Sequence, residues 1–111
     1  MIDLLNELNE LSKNLSKSGE QLKRYGKELA SAERDYKITL RQEALKLRAD
    51  EQMPVTLIDK VVYGIPDVAE KRFKRDVAES MYKAAQESIN TLKLKIRIID
   101  AQIQREWHSN G

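Results

Sequence analysis

The sequence has no cysteine, two prolines, four glycines and few aromatics: one Trp, four Tyr and one Phe. Without cysteine there is no disulfide framework, no thiolate zinc site and no thiol nucleophile, and the chain suits a reducing compartment. The scarcity of Gly and Pro removes the turn chemistry on which sandwiches, barrels and βαβ units depend. Histidine occurs once, at His108, so one chain assembles neither a His pair nor a His-containing triad. The glycines stand apart at 19, 26, 64 and 111, which leaves no loop to cradle a phosphate. No apolar run approaches the ~18 residues of a membrane span. The stretch 1–7 has early acids and no basic region before an apolar run, unlike a signal peptide. The expected location is the cytoplasm.

What the chain has is charge and helical periodicity. Charged residues make up 34% and hydrophobic ones 41%, against about 25% charged in an ordinary globular chain. Lys and Arg number 20 and Asp and Glu 18, a net charge of +2, short of the excess of a dedicated nucleic-acid wrapper. Residues 1–22 hold two Lys and four acids, net −2, whereas 23–48 hold eight basic and four acidic residues, net +4. Most acids have a base three or four positions away, as Glu33 has Lys37, Glu70 has Lys74 and Glu79 has Lys83, the pattern of solvated helix-surface pairs. Asp3 with Glu7 and Asp76 with Glu79 have spacings that suit a divalent ion but sit among basic neighbours, so no metal site, cofactor or catalytic centre is expected.

The two prolines, at 54 and 66, divide the chain into two long segments joined by a short connector. In the first, Leu4, Leu8, Leu11, Leu15, Ser18, Leu22, Tyr25, Leu29, Ala32 and Tyr36 alternate at intervals of four and three, a heptad seam. The register then slips to Leu40, Ala44 and Leu47. Gly19, Gly26 and the nearby serines predict a frayed or bent N-terminal third. In the last segment Ala78, Tyr82, Ala85, Ile89, Leu92, Ile96, Ile99 and Ile103 keep the same alternation, and Trp107 closes the stripe. Phe73, Val77, Met81, Ala84, Leu94 and Ile98 widen that apolar face beyond what one neighbouring helix covers.

The expected fold is therefore all-α, one domain over 1–111. It is a long antiparallel helical hairpin with coiled-coil seams and a short connecting helix, oligomerising into an elongated bundle. Helix 1 is expected over about 2–52, the connector over about 55–63 and helix 3 over about 67–107, with a polar, frayed tail from His108. A homodimer or tetramer is expected, with Leu8, Leu11, Leu15, Leu22, Ile89, Leu92, Ile96, Ile99 and Ile103 as its oligomerisation residues. The connector's Leu57, Ile58, Val61 and Val62 read either as a cap packing on both long helices or as an apolar tip that docks a protein partner. Lys71, Arg72, Lys74 and Arg75, with Lys23, Arg24 and Lys27, are candidates for nucleic-acid phosphates. The few aromatics, mostly on seam positions, give no stacking platform for single strands. The heptad regularity and close-packing alanines suit a partner helix better than a membrane surface.

The stretch from Lys74-Arg75-Asp76-Val77-Ala78-Glu79 through Ile89-Asn90-Thr91-Leu92-Lys93 to Gln104-Arg105-Glu106-Trp107 resembles the C-terminal half of small helical proteins encoded by phages and prophages of Gram-positive bacteria. The resemblance covers about residues 66–107 and carries over no catalytic residue. It implies a bacterial host cell and a role beside phage replication and recombination, or in blocking a host system. The expected activity is binding rather than catalysis: a non-enzymatic adaptor or inhibitor acting as a homo-oligomer, or alternatively an accessory nucleic-acid-binding protein.

Overall fold

The computed structural model describes residues 1–110, and 94% of the chain is helical. Helix α1 spans Ile2–Asp50, α2 spans Val55–Val61 and continues into a 3-10 turn at Val62–Gly64, and α3 spans Pro66–Asn110. No strand occurs among the described residues. The long helix α1 packs on the long helix α3 with the short helix between them, the fold class expected from the proline spacing. The chain divides into two compact units, Tyr25–Met81 and Met1–Arg24 with Tyr82–Gly111.

In the first unit, α1 stops at Asp50 rather than 52 because Gln52 takes a positive φ of 50°. The Met53 N–H then bonds the Leu47 carbonyl at 3.1 Å, and the Arg48 guanidinium donates to the Met53 carbonyl at 3.1 Å. Pro54 is extended, with φ −60° and ψ 144°, and its carbonyl accepts from the Leu57 and Ile58 N–H groups, both at 3.0 Å, which starts α2. Pro66 occupies the first turn of α3, where its missing N–H costs nothing, and Ala69 N–H bonds the Ile65 carbonyl at 2.9 Å. Around this turn lies the unit's core: Tyr36, Leu47, Ile58, Val62 and Val68 are buried, with Leu40, Ala44, Met53 and Ile65 packed against them. The slipped register after Tyr36 thus delivers Leu40, Ala44 and Leu47 to the connector.

The second unit is thinner. Leu4, Leu8, Leu11, Leu15, Ser18 and Leu22 of α1 are half-buried, as are Tyr82, Ala85, Ile89, Leu92, Ile96 and Ile103 of α3; among the described residues of this unit only Ile99 is buried. The N-terminal ammonium lies 3.4 Å from Glu106, a contact between the start of α1 and the end of α3 that antiparallel segments bring together. The helix is uninterrupted through Gly19 and Gly26, so the fraying expected of the N-terminal third does not break it. Residues 108–110, expected as a frayed tail, continue α3, and Gly111 lies outside the described residues.

Candidate functional site

The basic run at the start of α3 is split by the helix period. Continuing the seam back from Tyr82 and Ala78 in steps of three and four reaches Arg75, Lys71 and Val68. Val68 is buried and Lys71 and Arg75 are half-buried, while Arg72 and Lys74 are exposed. Arg75 lies over the Tyr36 ring, 4.7 Å from its centroid, and its Nη2 and Nε reach Asp76 Oδ1 at 2.9 and 3.0 Å. Donation to Asp76 holds the Arg75 guanidinium above its already high ordinary value. Arg72 stands over Tyr63 at 5.5 Å. Both arginines of the cluster are therefore engaged with tyrosines of their own chain, which the spacing alone did not reveal.

The lysines behave differently. Lys71 and Lys74 face Lys27 across a groove of about 360 Å³ whose other lining residues are Glu28, Ser31, Ala32 and Asp35. The groove exists because the seam carries the small Ala32 at this level, so the helices leave a hollow that a leucine would fill. Arg34 ties down Asp35 at 3.2 Å and also donates to Ser31 Oγ at 3.2 Å. Lys74 has its nearest acid, Glu70, at 4.0 Å. Lys27 and Lys71 have no carboxylate within ion-pairing distance among the described residues. Lys23 and Arg24, grouped with Lys27 in the sequence, do not line this groove; they belong to the other unit, where Lys23 pairs with Glu20 at 3.4 Å. Ala32 is one of the seam positions, whereas Glu28, Ser31 and Asp35 are not singled out by the sequence pattern; the steps of three and four from 28 to 31 to 35, which place them on one helix face beside the seam, are the available signal.

Of the four tip residues, Ile58 and Val62 are buried in the core, at 7% and 3% exposure, and are not available to a partner. The helix period explains the division: 58, 62 and 65 share the inward face, leaving Leu57 and Val61 outward. Leu57 and Val61, with Val55 and Tyr63, are exposed. The connector is thus a cap on its inner face and an apolar surface on its outer one.

The proposed oligomerisation residues Leu8, Leu11, Leu15, Leu22, Ile89, Leu92, Ile96, Ile99 and Ile103 all lie on the seam between the two long helices, half-buried except for the buried Ile99. Exposed apolar side chains occur on all three helices, Ile38 and Leu45 among them on α1, and those of α3 lie away from the seam. Phe73, Val77 and Met81 are 63%, 46% and 44% exposed in the first unit, and Leu94 and Ile98 are 54% and 51% exposed in the second. Trp107, expected to close the stripe, is 69% exposed: four residues beyond Ile103 it falls off the seam.

Among the described residues no group of three or more His, Cys, Asp or Glu is placed to hold a metal ion, and no helix is long and apolar enough to cross a membrane. No family model matches the chain, and neither a curated protein nor a solved structure matches it.

Proposed function

We propose that the protein works by association, as a homo-oligomer that engages a protein partner as an adaptor or inhibitor. The observation that carries this reading is the exposed ridge Phe73, Val77 and Met81, repeating every four residues on a helix whose other face is already spent on the seam. Such an i, i+4, i+8 ridge packs into the matching groove of a like helix, and a second copy supplies that helix. The half-buried leucines of the second unit support the same reading, because two helices alone leave a seam partly wet. In the setting that the sequence resemblance of residues 66–107 implies, such an oligomer would block or recruit a host or phage protein. The nucleic-acid reading has less to rest on, since Arg72 and Arg75 are held by Tyr63 and Tyr36.

Light scattering at micromolar concentration tests the proposal. A dimer or tetramer that Phe73→Glu with Val77→Glu converts to a folded monomer supports it, and a monomeric wild-type protein refutes it.

A further inference from the structure

The seam of the first unit carries two cations, and they are treated differently. Arg75 is compensated by the Tyr36 ring and by Asp76. Lys71, one turn earlier and also half-buried, has no carboxylate within ion-pairing distance among the described residues. A cation on a coiled-coil seam costs stability, and one left without a counter-charge costs more. The surroundings supply what an incoming anion needs. Lys27 and Lys74 converge on the same groove from opposite helices. The charge of Asp35 is already matched by Arg34, and only Glu28 opposes the three lysines. Ser31 Oγ accepts from Arg34 Nη2, which leaves its hydroxyl proton to donate into the groove.

We propose that the groove lined by Lys27, Ser31, Lys71 and Lys74 binds the phosphate group of a small phosphorylated ligand. Three ammonium groups and a hydroxyl match the several acceptor oxygens of a phosphate monoester. The groove's volume, about 360 Å³, exceeds a bare phosphate and lies within the range of small-molecule sites, so the organic part rests along Ala32. A continuous polyanion fits less well: Glu28 stands on the rim, and no aromatic side chain lines the groove to stack a base. This proposal stands independently of the association proposed above.

The test is a titration of the full chain, followed by amide NMR shifts, with inorganic phosphate, pyrophosphate and a short single-stranded DNA as probes. Saturable shifts with phosphate and pyrophosphate, confined to residues 27–35 and 71–75, are expected. Lys71→Gln should weaken pyrophosphate by roughly tenfold or more, since a charge-assisted contact is lost. Lys13→Gln, on the exposed Lys13–Glu10 pair, should leave the affinity unchanged and serves as a control for lost bulk charge. Circular dichroism of Lys71→Gln confirms that the helices persist, and Lys74→Gln gives a second reading if they do not. Shifts that fail to saturate, equal pyrophosphate affinity of Lys71→Gln and the control Lys13→Gln, or binding of the DNA without binding of pyrophosphate would each overturn the assignment.

Discussion

Arg75 stacks its guanidinium 4.7 Å from the centre of the Tyr36 ring, which joins α3 to α1 at a seam position where a hydrophobic side chain would be ordinary. Tyr36 is buried at 7% exposure, and Asp76 accepts from the same guanidinium, so the charge is carried without a lone buried ion. The pairing also fixes register, because sliding the helices by one heptad would set Arg75 against a different side chain. A double-mutant cycle of Tyr36→Leu and Arg75→Met, read by chemical denaturation, should give a coupling of about 0.5–1 kcal/mol. Strict additivity of the two changes would show that the stacking contributes nothing.

Gln52 holds a φ of 50°, the only non-glycine residue at positive φ among those described. An L side chain there costs on the order of 1 kcal/mol relative to glycine, which adopts that geometry without a Cβ clash. The position ends α1 and aims Met53 back at Leu47, so the conformation is imposed by the turn. Gln52→Gly should therefore raise stability by a few tenths to about 1 kcal/mol, less whatever the freer unfolded chain takes back. A lower melting temperature in that variant would mean the side chain makes a compensating contact.

Helix number, type and turning points were legible because two prolines and two long heptad patterns all point one way, and the observed boundaries differ by three residues or fewer. The seam from Leu4 to Tyr36 reads directly as the half-buried face. What sequence patterning obscured was how individual positions are spent. Lys71 and Arg75 belong to a basic run by composition, yet continuing the seam two steps before Ala78 puts both on it. Only the partner helix reveals that Tyr36 answers Arg75 and that no carboxylate among the described residues pairs with Lys71. The groove beside Lys71 is made by residues from both helices, and pairings of that kind are set by interhelical register, which one sequence does not state.

The connector provides a sharp contrast between adjacent positions. Ile58 is 7% exposed and Leu57 is 44% exposed. Burying a carboxylate without a partner is among the few changes that unfold a marginal domain, so Ile58→Asp should cost at least about 3 kcal/mol. Leu57→Asp touches no core contact and should stay within about 0.5 kcal/mol of wild type. A pull-down that depends on Leu57 and Val61 therefore reports on the outer surface, whereas one that depends on Ile58 reports on folding. Equal stability losses for the two substitutions would contradict the inward and outward division.

Lys71 links stability to binding with opposite signs. Lys71 is half-buried on the seam with no carboxylate within ion-pairing distance among the described residues, while its neighbours along the seam include the buried Val68 and the compensated Arg75. Replacing it by leucine removes the desolvation cost and adds apolar contact, and such exchanges of uncompensated polar groups commonly stabilise by about 0.5–2 kcal/mol. Lys71→Leu should therefore melt higher than wild type and at the same time lose pyrophosphate binding. Adding pyrophosphate should narrow the gap in stability, because a ligand that binds only the folded wild-type protein stabilises it in proportion to its saturation. A Lys71→Leu protein that melts lower would show that the lysine stem packs the seam better than a leucine does, and that the position is occupied for packing rather than for charge.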